Sequence, residues 1–162
     1  MDKTRDGARL IIVCGLPGSG KTTLAEALER KLGAVRFSAD EWLNALSINL
    51  WDEEARANIE TLQWQFAQKL LSLGLIVVVE WGTWGRSERD KLRLQAQTLG
   101  AAVELRYLKV PVDVLLARIQ RRDREEPPIE EEDLLRWTDA FQEPTAEEIA
   151  LFDEPLSTSA GE

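Results

Sequence analysis

The residues from Leu10 to Leu24 carry the feature that most restricts the fold of this chain. A short apolar run, LIIVC (10–14), leads directly into GLPGSGKT (15–22), after which an amphipathic helical pattern begins. The middle segment satisfies G-x-x-x-x-G-K-[ST] without mismatch, the pattern of a phosphate-binding loop between a buried strand and a helix. The alternative is a glycine-rich turn that only joins strand to helix, but the motif stands at the junction that its chemistry requires.

Phosphate binding by such a loop depends on its backbone as much as on its side chains. Glycines permit positive φ angles, so successive N–H groups can turn toward phosphate oxygens beside the positive end of the following helix. We expect Lys21 to reach the β- and γ-phosphates of a nucleoside triphosphate and the Thr22 hydroxyl to bind Mg²⁺. The residues predicted to hold the nucleotide are Gly15, Pro17, Gly18, Ser19, Gly20, Lys21, Thr22 and Thr23.

Apolar runs alternate with helical patterns along the rest of the chain. Strands are predicted at 10–14, 34–37, 75–79 and 101–110. A loop is predicted at 80–86, and the next helix is expected to begin at Ser87. The alternation is typical of an α/β fold in which helices flank a parallel sheet.

Length and composition restrict the architecture and the partners. The 162 residues suit one domain, with an expected core over about 9–153 and a disordered tail over 154–162. A single cysteine rules out an internal disulfide, and no export signal or membrane span is recognisable, so we expect a cytoplasmic monomer or homodimer. The net charge of −9 argues against nucleic acid as a partner, because such binding depends on Lys and Arg.

Two acids follow predicted strands, at the edge where open α/β sheets bind ligands. Asp40 is the predicted base that orients an acceptor hydroxyl, since the chain contains no histidine. Glu80 is predicted to hold the magnesium shell and to border the substrate. The plainer alternatives are a helix-start acid for Asp40 and a solvated strand-end residue for Glu80.

Arginines crowd the end of one predicted helix and the proline-bounded loop after it. They are Arg118, Arg121, Arg122 and Arg124. Arg118 and Arg122 share one helix face, and guanidinium groups neutralise the charge that develops in phosphoryl transfer, so the pattern favours a mobile arginine lid. A solvated basic helix end facing the acidic run 130–133 is the alternative, and the sequence leaves open which arginine acts.

Tryptophans gather near the strand ends and loops that should border an acceptor. Four of them are Trp42, Trp51, Trp81 and Trp84, of which Trp42 and Trp84 are predicted to bind substrate. Aromatic walls suit a flat or apolar molecule, or a cation over a ring face, although ordinary core packing is the alternative. With acids nearby, a neutral or cationic hydroxyl-bearing small molecule is a better fit than a polyanion.

Four segments, GLPGSGKTTLAEAL, FSADEW, VVVEWGTW and VPVDVLLARIQRRDRE, occur in an order that resembles the small P-loop kinases, over roughly residues 9–145. That family of AAA-type ATP-binding kinase-like proteins includes chloramphenicol phosphotransferase, zeta toxin and the kinase domain of phage polynucleotide kinase. The resemblance implies a three-layer fold with a parallel sheet of order 2-3-1-4 and an arginine-rich lid. It also implies a fifth strand, for which only residues 150–152 are available.

The same resemblance implies an activity. Lys21 and Thr22 would bind ATP and Mg²⁺, Asp40 would be the base, and Arg118 or Arg122 would be the lid arginine. We therefore expect a phosphotransferase that moves the γ-phosphoryl group to a hydroxyl of a small molecule such as an antibiotic, nucleoside or sugar. A polynucleotide or nucleotide-sugar kinase of the toxin type, or an ATP-binding switch protein that is not a kinase, are the alternatives.

Overall fold

Four strands form a single all-parallel sheet in the computed structural model, which describes residues 7–157. They are β1 (Arg9–Cys14), β2 (Val35–Phe37), β3 (Ile76–Gly82) and β4 (Ala102–Tyr107), in the order β2-β3-β1-β4. The central strand β1 is buried along its whole length, as an apolar strand covered on both faces must be. The predicted α/β class and the order 2-3-1-4 are confirmed.

Helices cover both faces of the sheet. They are α1 (Lys21–Leu32), α2 (Ala39–Ala45), α3 (Glu53–Ser72), α4 (Arg86–Thr98), α5 (Val112–Arg122), α6 (Glu131–Ala140) and α7 (Ala146–Ile149). The alternate residues Leu10 and Ile12 of β1 pack with α3 and α4 on one face. Ile11 and Val13 pack with α1 on the other. The period of two along β1 thus produces the three layers.

Two strand ends differ from the sequence prediction. The structure extends β3 to Gly82, so that Glu80 lies within the strand and not in a loop. An extra residue in β3 shifts the register between Ile12–Val79 and Cys14–Gly82, so that Cys14 pairs with Gly82 and the ladder is prolonged. In contrast, β4 ends at Tyr107 and not at residue 110. Its partner strand β1 ends at Cys14, whose carbonyl accepts the Leu108 N–H at 2.9 Å, so no further residue of β1 is available for pairing.

Side chains cap the starts of α2, α3 and α7, whereas the predicted start of one helix differs from the structure. The Ser38 hydroxyl accepts the Glu41 N–H at 3.3 Å, and α2 begins at the next residue after Ser38. The exception is α4, which begins at Arg86 after Gly85, one residue before the predicted Ser87, and has no side-chain cap. Gly20, with a φ of 97°, makes the turn from the glycine-rich loop into α1.

The segment after α7 runs along the outer edge of the sheet. Residues 150–152 form a turn and not the fifth strand that was considered for them. Asp153 instead covers β4, since its N–H donates to the Val103 carbonyl at 2.8 Å and its carboxylate accepts the Val103 N–H at 2.7 Å. These bonds occupy ladder groups that an edge strand would otherwise expose.

Only part of the predicted disordered tail, 154–162, belongs to the described residues. Within 154–157, the Leu156 N–H donates to Glu104 at 3.2 Å and Arg9 donates to the Glu154 carbonyl at 3.4 Å. Residues 158–162 lie outside the described part of the chain. Among residues 7–157, no helix combines the length and apolar character needed to cross a membrane.

Candidate functional site

The glycine-rich loop joins β1 to α1 and packs directly against α5. Gly18 has a φ of 82°, and a Cβ at this position would lie 3.0 Å from the Leu115 carbonyl oxygen and 3.1 Å from Ile119. A Cβ on Gly15 would lie 2.6 Å from the Ser19 hydroxyl. Close packing therefore leaves no room for a side chain at either glycine, and the contacts of Gly18 couple the loop to α5, which carries the arginines.

Lys21 is the first residue of α1, and its side chain folds back over the loop. Its ammonium group donates to the carbonyl oxygens of Gly15 at 3.1 Å and Leu16 at 3.0 Å. Burial lowers the pKa of Lys21 to about 8, against the opposing influence of the Asp40 and Glu80 carboxylates. The ammonium group thus lies between the loop and two acids.

Thr22 and Glu80 are in direct contact at the end of β3. The Thr22 hydroxyl donates to Glu80 Oε1 at 2.8 Å. The other carboxylate oxygen, Oε2, is buried without a hydrogen-bond partner and lies 3.6 Å from the Arg36 guanidinium. Burial raises the pKa of Glu80, while the bond from Thr22 and the charge of Arg36 oppose this rise.

A hard divalent cation fits this pair of side chains. Mg²⁺ prefers oxygen ligands and commonly uses one or two protein groups together with substrate phosphates and water. The orphaned Oε2 of Glu80 is an oxygen that such an ion would satisfy. No group of three or more Cys, Asp or Glu side chains suited to a metal occurs among residues 7–157.

Asp40 lies in the first turn of α2 and is paired with a residue that sequence reasoning missed. Arg56 on α3 donates to its carboxylate at 2.5 Å and also donates to the Leu50 carbonyl at 2.9 Å. The missed signal was a cation in the first turns of a helix, where the helix dipole disfavours positive charge unless an acid compensates. Arg56 thereby fixes the orientation of Asp40.

The arginines of the predicted lid differ in what they contact. Arg118 donates to the Gly18 carbonyl at 3.1 Å, and Arg122 donates to Glu125 at 2.9 Å. Arg122 is half-buried, and desolvation lowers its pKa below that of an ordinary arginine. Arg118, Arg122 and Arg124 line the cavity described next, whereas Arg121 is exposed and lies outside it.

A single cavity of about 810 Å³ extends from the glycine-rich loop past the ends of the strands. Eleven of the predicted site residues line it: Pro17, Gly18, Gly20, Lys21, Thr22, Thr23, Asp40, Glu80, Trp84, Arg118 and Arg122. Gly15 lies beneath the loop and offers its carbonyl to Lys21. The buried Ser19 hydroxyl faces a separate cavity of about 250 Å³.

Three tryptophans form a cluster in the wall of the larger cavity. Trp137 on α6 lies between Trp51 and Trp84, with ring centroids 5.8 Å from each. Sequence reasoning missed Trp137, because its helix carried no motif. Trp42, which was predicted to bind substrate, does not line the cavity and packs edge-on against Phe37, 6.2 Å between ring centroids.

Three further polar residues of the cavity were not singled out from the sequence. Glu60 on α3 has a pKa raised to about 7, first by burial and then by the charge of Glu88 on α4. Partial desolvation of its carboxyl group also raises the pKa of Glu88, although the residue as a whole is exposed. Thr83, which follows β3, is 1% exposed, has a φ of 47° and carries a buried hydroxyl without a hydrogen-bond partner. Such features depend on tertiary neighbours that no local pattern reveals.

Solved structures with this fold include several kinases. A gluconokinase from Sinorhizobium meliloti 1021 superposes with a TM-score of 0.60 at 24% identity, over 86% of this chain and 78% of that one. The Pnkp1/Rnl/Hen1 RNA repair complex contains a chain that matches 96% of this one with a TM-score of 0.73 at 19% identity, and this chain spans 50% of it. Chaetomium thermophilum Kti12 in complex with ADP-AlF3 gives a TM-score of 0.63 at 21% identity, over 84% and 81% of the two chains.

These likenesses, all below 25% identity, concern the fold. No curated protein matches the sequence significantly. A family model described as AAA domain matches residues 10–144, which include the glycine-rich loop, Asp40, Glu80, Arg118 and Arg122. Because that match spans most of the chain, and because the neighbouring folds are P-loop kinases, the chain belongs to the AAA domain family and has a P-loop kinase-like fold.

Proposed function

We propose that this protein transfers the γ-phosphoryl group of ATP to a hydroxyl group of a small molecule. The observation that carries the proposal is that Lys21, Thr22 and Asp40 line one cavity together with Arg118 and Arg122. A phosphate-binding cation, a hydroxyl for the metal, an acid and two guanidinium groups are the parts that phosphoryl transfer needs.

Nucleotide binding would use groups that are now occupied within the loop. Lys21 would exchange the carbonyls of Gly15 and Leu16 for phosphate oxygens, which are stronger acceptors because they are charged. Thr22 and Glu80 would hold Mg²⁺, which supplies positive charge next to the phosphates. Arg118 and Arg122 approach from α5 and would neutralise the charge on the transferring group.

Asp40 is the group proposed to act on the acceptor. Its carboxylate would accept the hydrogen bond of the acceptor hydroxyl and then its proton, while Arg56 holds the carboxylate in place. A bond forms between the hydroxyl oxygen and the γ-phosphorus, and the bond from that phosphorus to the bridging oxygen of ADP breaks. The products are ADP, the phosphorylated acceptor and a proton that Asp40 passes to water.

The composition of the cavity favours a small acceptor over a nucleic-acid strand. Tryptophans and the carboxylates of Glu53, Glu60 and Glu88 line it beyond the phosphate loop. A strand would bring further phosphates toward these acids, and strand binding depends on Lys and Arg. A polynucleotide or nucleotide-sugar kinase remains the alternative, and the cytoplasmic location, the monomeric or homodimeric state and the lack of a nucleic-acid partner stay predictions.

A nucleotide-dependent switch is the other alternative. Switch proteins of this type often receive an arginine from a partner to complete hydrolysis. Here Arg118 and Arg122 belong to the same chain and already line the cavity. The chain therefore carries its own candidate arginines, which supports a transferase.

The decisive experiment compares Asp40→Asn with the wild-type protein. Binding of ATP with Mg²⁺ is measured by calorimetry, and transfer is followed with γ-labelled ATP and a panel of antibiotics, nucleosides, sugars and a DNA oligonucleotide. We expect Asp40→Asn to bind nucleotide as the wild type does and to lose transfer by about a hundredfold or more. Asp139→Asn, an exposed acid on α6, is the matched control and should change neither.

Two results would contradict the proposal. Absence of nucleotide binding in the wild type would remove the phosphate-loop assignment. Transfer to the oligonucleotide alone would replace the small acceptor by a polynucleotide.

A further inference from the structure

A second group of side chains lines the cavity and takes no part in the proposed phosphoryl transfer. Glu60 on α3, Glu88 on α4 and Thr83 after β3 belong to this group. These residues stand on α3, on α4 and directly after β3, whereas Lys21 belongs to α1 and Arg118 and Arg122 belong to α5. Their chemistry therefore indicates what else the cavity binds.

Compensation of the two carboxylates within the protein is incomplete, since Arg56 attracts Glu60, and Arg89 and the Gly85 backbone attract Glu88, but none of these contacts is an ion pair. Neither Glu60 nor Glu88 forms an ion pair with a side chain of residues 7–157, whereas Asp40 is paired with Arg56 and Glu125 with Arg122. Arg56, which attracts Glu60, is already bound to Asp40 and to a backbone carbonyl. Unpaired like charges in one cavity attract a positively charged ligand.

Thr83 gives independent evidence of a polar ligand. Its side chain is almost fully buried, yet its hydroxyl has no hydrogen-bond partner among the described residues. A β-branched residue at a φ of 47° is strained and persists only where its surroundings hold it. Arg89 does so by donating to the Thr83 carbonyl at 2.8 Å. The buried hydroxyl would gain a partner from a ligand that enters the cavity.

The tryptophan cluster adds a surface suited to the same kind of molecule. The rings of Trp51 and Trp84 are tilted by 45° and 49° from that of Trp137 and do not stack in parallel. Indole faces attract cations electrostatically and pack well against the C–H groups of alicyclic rings. Carboxylates and indoles in one cavity therefore match an amine on a ring skeleton.

We propose that the phosphoryl acceptor is a hydroxylated amine, such as an amino sugar or an aminocyclitol, whose ammonium group binds at Glu60 and Glu88 while Thr83 hydrogen-bonds the ligand. This inference rests on the proposed function and narrows its acceptor from small molecules in general to cationic ones. An ammonium group offers three donors and no acceptor, which suits carboxylate and hydroxyl oxygens. An anionic acceptor would instead meet two unpaired carboxylates.

Matched pairs of compounds test the inference directly. Glucosamine is compared with N-acetylglucosamine, and 2-deoxystreptamine with its di-N-acetyl derivative, so that the amine charge is removed; the acetyl group also adds bulk, and the carboxylate variants below separate that effect from the effect of charge. Calorimetry measures binding to the full chain with and without a non-hydrolysable ATP analogue, and γ-labelled ATP measures transfer. We expect each amine to bind about ten- to a hundredfold more tightly than its acetylated counterpart, the range of a lost charge-assisted hydrogen bond.

Variants assign the preference to particular side chains. Glu60→Gln and Glu88→Gln should each reduce the amine preference by about tenfold and leave nucleotide affinity unchanged. Glu54→Gln, an exposed change on α3 outside the cavity, is the control and should keep the preference. Thr83→Val should weaken binding of both members of a pair, and Thr83→Ser should restore it. Thermal unfolding of each variant verifies that it is folded.

The outcomes separate the acceptor class from the activity. Two results would overturn the cationic acceptor and leave the proposed activity standing. The first is nucleotide binding without any preference for amines, and the second is an amine preference that survives in the Glu60→Gln, Glu88→Gln double variant. Absence of nucleotide binding would overturn the proposed function, while the amine measurements without nucleotide still decide whether Glu60 and Glu88 bind a cation.

Discussion

The guanidinium group of Arg89 donates to both carboxylate oxygens of Glu148, from Nε at 2.7 Å and from Nη2 at 2.8 Å. Both side chains are almost completely removed from solvent. Arg89 also donates to the carbonyls of Thr83 at 2.8 Å and Gln142 at 2.7 Å. One arginine of α4 thus ties the C-terminal segment to the strained residue at the end of β3.

Replacing Glu148 by alanine should strongly destabilise the fold. The change leaves the buried charge of Arg89 uncompensated, and breaking one partner of a buried pair costs about 3 kcal/mol in the free energy of unfolding. Urea denaturation followed by circular dichroism measures this loss. Glu147→Ala, an exposed neighbour in the same helix, should stay within about 0.5 kcal/mol of the wild type. Equal stability of the two variants would contradict the prediction.

The Arg89–Glu148 pair also marks the limit of what the sequence predicts. Local patterns determine the strands, since the apolar run of β1 and the glycines that end helices are readable without neighbours. The pair joins positions 59 residues apart, and an arginine inside a charged helix gives no local sign of burial. The N–H of Glu148 donates to the Thr145 hydroxyl at 3.1 Å as part of a local cap, whereas its carboxylate binds the distant Arg89.

The candidate site also contains both residues that the sequence reveals and residues that only the structure reveals. Motif spacing reveals the glycine-rich loop, the position after a predicted strand reveals Asp40, and the crowding of arginines at a helix end reveals Arg118 and Arg122. Three residues were missed because only the folded structure shows their roles. Arg56 forms an ion pair with Asp40, Glu60 has a desolvated carboxyl group, and Thr83 has a buried hydroxyl without a hydrogen-bond partner. Trp42 was predicted to bind substrate from its proximity to a strand end, which does not reveal that its ring packs against Phe37.

Gly18→Ala should weaken nucleotide binding, whereas the same substitution at Gly33 should lower only the stability of the fold. The new Cβ would meet the Leu115 carbonyl at 3.0 Å, and backbone oxygen cannot yield as a flexible side chain can, so α5 must shift from the loop. We expect a loss of ATP affinity of about tenfold or more, the factor that corresponds to 1.4 kcal/mol, measured by calorimetry. Gly33 also has a positive φ, of 64°, but a Cβ at this position would lie in open space. Gly33→Ala should lose stability by about 1 kcal/mol without loss of nucleotide affinity; equal affinity losses in both variants would contradict the coupling of loop and α5.

Arg122→Ala should slow phosphoryl transfer while leaving the fold intact. Arg122 is the half-buried arginine whose pKa is lowered by desolvation, so its charge is little screened by water. Loss of one donor that stabilises transition-state charge costs about a hundredfold in kcat. Arg121→Ala, on the exposed side of α5, is the matched control and should keep kcat within about twofold, a difference below 0.5 kcal/mol. A reduced kcat in Arg121→Ala together with an unchanged kcat in Arg122→Ala would contradict the assignment of Arg122 to phosphoryl transfer.

The pH dependence of stability should reveal the environment of Glu60. Its pKa is raised from 4.5 to about 7 by burial, by the charge of Glu88 on α4 and by that of Asp40 on α2, against the attraction of Arg56 on α3. Between these two pH values the folded protein therefore binds more protons at this site than the unfolded chain does. Linkage then requires the contribution of Glu60 to stability to be greatest below pH 4.5 and to be lost as the pH rises toward about 7.

Glu60→Gln isolates this contribution, because glutamine keeps the size of the side chain and cannot ionise. We expect the free energy of unfolding of Glu60→Gln to exceed that of the wild type increasingly as the pH rises from about 4.5 to 7, with a constant difference above that window. Urea titrations at several pH values measure the difference, and Glu54→Gln on the exposed side of α3 should show no such trend. A difference that is independent of pH would mean that Glu60 is solvated, and it would remove the electrostatic reason for a cation at this position.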